Sequence, residues 1–235
     1  MISYFTYAGQ RSTDYGILID SHEGLTTPDR DYEQVDIPGR NGTLTVDNGR
    51  YLNVDITYHC GIGMEFQDNM GQFLAWIMSK TGYNRLEDTY QTDYYRMARV
   101  KTAPSPSIIG KMKMGTFDMI FDCKPQKYLK TGETEQTFTS NGTITNPTLY
   151  TALPLIRVYG TGTLKIGATT ITINSAGSYT DFDCEIQDAF CGSTNCNGKI
   201  TLNSGNFFSL APGSNGIVKS GNISRVVITP RWWTL

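Results

Sequence analysis

Residues 51–62, YLNVDITYHCGI, alternate without a break. Leu52, Val54, Ile56, Tyr58, Cys60 and Ile62 are apolar or amphipathic, with Asn53, Asp55, Thr57 and His59 between them. A period of two puts the first set on one face of a strand and the second on the other. Residues 116–123, TFDMIFDC, repeat the pattern, with Phe117, Met119, Phe121 and Cys123 on one face. Strands of this kind need an apolar layer to cover them. One segment of another period can supply it. Phe66, Met70, Phe73, Leu74, Ile77 and Met78 recur at the spacing of one helical face, and Lys80 and Gly82 suit the end of that helix.

The rest of the chain has the texture of short strands and turns. It is 235 residues long, with 24 glycines, 14 tyrosines and only 18% charged residues, a composition suited to many strands joined by tight connections. Residues 124–150 are polar and turn-rich, and a domain junction is expected near residue 129. Beyond it, PLIRVYG, GTLKIG, TTITIN, YTDFDCEIQ, NFFSL and ISRVVITP are β-branched runs broken by Gly, Asn or Pro, the pattern of a β-sandwich. The expected fold is mainly β, in two β domains, the first carrying one α-helix.

Several function classes find no support. The net charge is −2, from 20 basic and 22 acidic residues, so no basic excess awaits a phosphate backbone and no nucleic-acid binding is expected. No run of about 18 apolar residues is present, so no membrane insertion is expected. The first residues lack a basic and then apolar signal, which points away from secretory export. Residues 37–44, IPGRNGTL, invite comparison with a phosphate loop, but no lysine stands where that loop needs one, and strand rather than helix follows. Asn41-Gly42 and Asn48-Gly49 are instead expected to form tight hairpin turns. Arg40, at the first turn, is either a protein contact or a solvated arginine.

Candidate chemistry is thin. His59 and Cys60 point to opposite faces of one strand, so they cannot pair as base and nucleophile, and His22 lies in a loop. Cys184, Cys191 and Cys196 match no common zinc spacing; with Cys60 and Cys123 they are expected to be buried thiols. Asp181, Asp183 and Glu185 share a strand face and could serve calcium or a glycosidase, but the wet face of a sandwich is the favoured reading. No catalytic residue, metal or cofactor is expected. The end, ITPRWWTL, is aromatic where chain ends are usually polar. Trp232 and Trp233 are therefore expected to be docked, on the first domain, on another subunit or on a sugar.

The ordered set YFTYAGQRSTDYGILI, IPGRNGTL, YLNVDITYHC, YNRLEDTYQTDYYRMARV and GTFDMIFDCKPQKY, followed by PLIRVYGTGTLKI, DFDCEIQDAF, GNFFSLAPGSNGI and ITPRWW, resembles the distal tail proteins of long-tailed, non-contractile bacteriophages over nearly the whole chain. The resemblance implies a structural, non-enzymatic baseplate hub protein of the virion tail tip, assembled in the bacterial host cytoplasm. It implies a homo-hexamer ring between the tail-tube protein and a tail-associated tip or fibre protein. Residues 1–128 would form a tail-tube-like ring domain, 129–228 a galectin-like β-sandwich, and 229–235 a segment returning to the first domain. Arg40, Asn41, Trp232 and Trp233 are the candidate subunit contacts. The alternatives are a carbohydrate-binding module using aromatics such as Tyr179 or Trp232, a hydrolase using the acidic stripe, and a tail-tube subunit.

Overall fold

The alternation of residues 52–62 becomes the strand Val54–Ile62, in which Val54, Tyr58, Cys60 and Ile62 are buried. Leu52 stands before that strand, exposed, its N–H donated to the carbonyl of Asp29 (2.9 Å). This computed structural model describes residues 2–24, 26–62, 66–109 and 114–235. It divides into two compact units, Met1–Lys127 together with Leu235, and Tyr128–Thr234.

In the first unit, Val54–Ile62 pairs antiparallel with the long strand Met114–Leu129, from Ile62 opposite Gly115 to Val54 opposite Cys123. That register aligns Phe117, Met119, Phe121 and Cys123 with Cys60, Tyr58, Ile56 and Val54 on one buried face. The sheet runs in the order Gln10–Arg11, Phe5–Tyr7, Asn84–Asp88, Tyr94–Val100, Met114–Leu129, Val54–Ile62, Ile17–His22. The helix Phe66–Met78 lays Met70, Phe73 and Ile77 into the same core. The side chain of Phe66 lies outside the described residues. Trp76, not counted in the apolar stripe, is also buried, and Met78 is exposed. The buried arc is thus centred on Phe73, and the stacked ring of Tyr15 (4.8 Å) widens it to take in Trp76. Aromatic rings fill the layer: Phe121 meets Phe5 edge-on (5.4 Å) and lies 5.0 Å from Tyr7.

The second unit is a β-sandwich. One sheet runs Gln136–Phe138, Arg225–Thr229, Leu155–Tyr159, Thr180–Asp183, Asp188–Cys191, Thr194–Asn195. The other runs Gly142–Asn146, Gly213–Lys219, Gly162–Ile166, Thr169–Ile173, Ile200–Leu202. Alternate residues of both, such as Ile156, Val158, Phe182, Val226 and Ile228 against Leu164, Ile166, Ile171 and Ile217, form one core. The fold is mainly β, with two β units and one helix among the described residues.

Phe121 meets the rings of Phe5, Tyr7 and Tyr58. Phe121→Ala is expected to destabilise the first unit by about 3–5 kcal/mol, read as an earlier urea midpoint in circular dichroism. An unchanged midpoint would show that neighbouring rings close the gap.

Candidate functional site

The strands Arg30–Asp36 and Thr43–Tyr51 form a two-stranded sheet that joins no other sheet among the described residues. Seven residues of strand reach about 20 Å. Val35 lies opposite Leu44 and Glu33 opposite Val46, which puts Val35, Leu44 and Val46 on one face. All three are exposed. An isolated hairpin is marginal in water, and this one leaves these apolar side chains exposed.

The chain reverses through a β-turn in which Arg40 donates its N–H to the carbonyl of Ile37 (3.1 Å). Pro38 presets the second position and Gly39, at φ 80°, takes the third, the chemistry of a type II turn. Arg40 and Asn41 stand exposed at this tip. The second Asn-Gly pair is not a turn. Asn48 and Gly49 lie inside the continuous strand Thr43–Tyr51, at a register shift between Arg30↔Tyr51 and Tyr32↔Asp47. The positive φ that suits a hairpin suits a bulge equally, and the N–H of Gly49 bonds to Asp47 Oδ1 (2.8 Å). Arg30 grips both oxygens of Asp47 across the ribbon, its Nη2 2.9 Å from Oδ2, and Arg50 Nε reaches Asp31 at 2.6 Å. The hydrogen bond from Arg30, with that from Gly49 N–H, holds the Asp47 carboxyl below the usual carboxylate range.

Trp232 and Trp233 lie in the other unit. Trp232 is 3% exposed in the sandwich core. Trp233 stacks on Tyr150 (4.5 Å) and donates its Nε1–H to the carbonyl of Thr151 (3.0 Å). The preceding Arg231 sits at φ 57°, donates its backbone N–H to Gly132 (2.8 Å), and holds Asp183 through two bonds (2.7 and 3.1 Å). Asp181 and Asp183 are therefore not on a wet face, whereas Glu185, beyond the strand Thr180–Asp183, is exposed. Asp181 is 4% exposed and bidentate to Arg157 (2.7 and 2.8 Å), while Glu185 lies 3.6 Å from Arg231. Facing arginines on neighbouring segments allow these carboxylates to leave water. Arg157 also covers the ring of Tyr179 at 4.1 Å, which takes up a face a sugar would stack on.

Reactive side chains are dispersed. Burial pushes the thiols of Cys60, Cys123 and Cys184 up to about 12, far from thiolate at neutral pH. Cys196 is also buried and Cys191 half-buried. His22 bonds to the carbonyl of Glu23 (2.8 Å) and packs on Tyr90. His59 Nδ1 lies 2.6 Å from Asp118 in a surface cavity of about 360 Å³ that Ser105 and Ser107 also line. Neither serine hydrogen-bonds to the imidazole among the described residues.

A β-unit with an α-helix and a separate two-stranded ribbon, and a β-sandwich whose core takes in Trp232, make a distinctive combination. No protein-family model matches the sequence, and no curated protein is significantly similar to it. Solved structures do match. The Dit protein of phage SPP1, described as a paradigm of the hub adsorption apparatus in phages infecting Gram-positive bacteria, superposes with a TM-score of 0.75 over 100% of both chains, at 15% identity. The chain has the fold of a phage tail-hub protein. A protein of the phage P2 baseplate in its calcium-activated conformation follows, with a TM-score of 0.51 over 97% of both chains, at 10% identity.

The hub fold's second unit carries a testable electrostatic lock. Burial raises the Asp183 carboxyl, but the bonds and charge of Arg231 with the N–H groups of Glu185 and Ile186 outweigh it, and the net direction is down. A depressed carboxyl contributes stability that is full above its unfolded value of about 3.9 and is lost as pH falls through the folded value. Below about pH 4 the second unit should therefore weaken. Arg231→Met should cost about 2 kcal/mol at neutral pH and flatten that acid limb in pH-dependent urea titrations; an acid limb equal to the wild type would remove the lock.

Proposed function

We propose that this chain is a structural bacteriophage tail-tip protein, a baseplate hub of the virion. Six copies form a ring that joins the tail tube to the tail-associated or receptor-binding proteins. The first unit is the ring-forming domain, and the second is a galectin-like sandwich. The observation that carries this reading is the ribbon Arg30–Tyr51 with its uncovered Val35, Leu44 and Val46, in a chain of the hub fold. A neighbouring copy would cover that face, and Arg40 and Asn41 at the tip would reach it first. Burying an apolar strip between copies gains about 25 cal/mol per Å², and a head-to-tail contact repeated at six junctions closes into a ring when each copy is turned by one sixth of a rotation from the last.

The proposed role needs no catalytic group. The sugar-binding alternative would need a free aromatic face, and Trp232 is buried while Tyr179 lies under Arg157.

Light scattering with negative-stain imaging tests the ring. A sixfold particle with a central hole is expected, alone or with the tail-tube protein; a chain monomeric in both settings overturns the proposal. Leu44→Asp is expected to weaken assembly roughly tenfold or more while leaving the circular dichroism of the chain unchanged. Arg40→Ala is expected to impair ring closure, and normal rings in that variant would remove Arg40 from the interface.

A further inference from the structure

Arg96 occupies a position that alternation gives to the core. It lies on the strand Tyr94–Val100, on the same face as the buried Ala98 and opposite Leu86 across the ladder. It is 6% exposed. A guanidinium carries five N–H donors, yet among the described residues its one hydrogen bond is from Nη1 to the carbonyl of Pro125, long at 3.3 Å. A charge this deep is costly unless it is paired.

The guanidinium lines a cavity of about 30 Å³ with Ile56, Tyr58, Tyr94, Tyr95 and Lys127. Lys127 is half-buried and leans over the ring of Tyr94 (4.9 Å). Two carboxylates also border the space, and both are occupied. Asp88 accepts Tyr58 O–H (2.7 Å) on one oxygen and the N–H groups of Tyr90 and Gln91 (2.8 Å each) on the other. Glu87 pairs with Arg85. The lining holds Arg96 and Lys127 against Glu87 and Asp88, and with Glu87 paired to Arg85 outside the lining, Asp88 alone is left to face the two cations. The volume exceeds the 10–15 Å³ that one water needs, enough for the two oxygens of a carboxylate and little more.

The geometry points to a carboxylate-binding pocket in which the Arg96 guanidinium and the Lys127 ammonium hold one carboxylate between them, with the tyrosines as its walls. This goes beyond the hub reading and stands without it. The carboxylate is either a free small acid or an Asp or Glu side chain of another chain, and the two sources separate in the test.

Sodium formate is the probe, with sodium chloride at matched ionic strength as the reference. The full chain is expected to show a saturable rise in melting temperature with formate over chloride. Lys127→Met is expected to raise the apparent Kd roughly threefold, and Arg96→Gln to abolish the formate response. If Arg96→Gln does not fold, Lys127→Met decides alone. Identical responses to formate and chloride, or an unchanged formate response in Lys127→Met, overturn the assignment. Light scattering in both salts identifies the source. Formate that lowers the assembled mass displaces a neighbour's carboxylate; formate that binds without changing the mass marks the pocket as one for a free acid.

Discussion

The antiparallel register between Val54–Ile62 and Met114–Leu129 is the constraint on which the first unit depends. The side-chain period of a strand is two, so a slip of Val54–Ile62 by one residue would turn Tyr58 and Cys60 outward and bring Asp55 and His59 into the core. With the register as it is, Phe121 faces the rings of Phe5, Tyr7 and Tyr58. The helix Phe66–Met78 then finds a continuous apolar layer for Met70, Phe73 and Ile77. The same discipline has a consequence on the neighbouring strand of the sheet. Once Ala98 faces inward on Tyr94–Val100, Arg96 must face inward too. A charge is thereby carried to the edge of the core by geometry, and burial lowers its readiness to stay protonated.

The second unit solves a comparable problem at its end. Thr180–Asp183 is an interior strand of its sheet, and Asp181 and Asp183 project from the face away from the core. Arg157 comes from the adjacent strand Leu155–Tyr159 and Arg231 from the tail, so each carboxylate has a guanidinium in fork geometry. Arg231 has a left-handed backbone, an unfavourable conformation for a residue with a side chain. Its two bonds to Asp183 and its N–H to Gly132 offset that strain. The carbonyl of Trp232 then receives the N–H of Leu129 (2.9 Å), which fixes the indole in the core.

What could be read from sequence was what depends on local period. The two alternating strands, the helix and the short-strand sandwich all follow from spacing, and the ordered resemblance led to the hub fold that the SPP1 superposition shows. What could not be read depends on partners distant in the chain. Asn48-Gly49 reads as a hairpin turn because the signal for positive φ is the same in a turn and in a bulge; only the pairing of Arg30 with Tyr51 distinguishes them. Asp181 reads as solvated because its neutralising Arg157 lies 24 residues away. Trp232 reads as available to another subunit because nothing near it in sequence announces the core between two sheets. The signal for Arg96 was present, an arginine in phase with Ala98, but that strand's inward face is set by Leu86 and by the sheet beyond it.

The ribbon poses the opposite question, since its apolar face is exposed by design of the register rather than by accident. A free two-stranded edge invites uncontrolled strand pairing. Here the invitation is narrowed. The bulge at Asn48 and Gly49 adds local twist near the base, Arg30–Asp47 and Arg50–Asp31 put charge on both strands, and the tip ends in Pro38, Arg40 and Asn41. An approaching strand meets charge and irregularity along the edges but an apolar strip of Val35, Leu44 and Val46 on the flat. That favours face-on docking of a shaped surface over edge-to-edge extension.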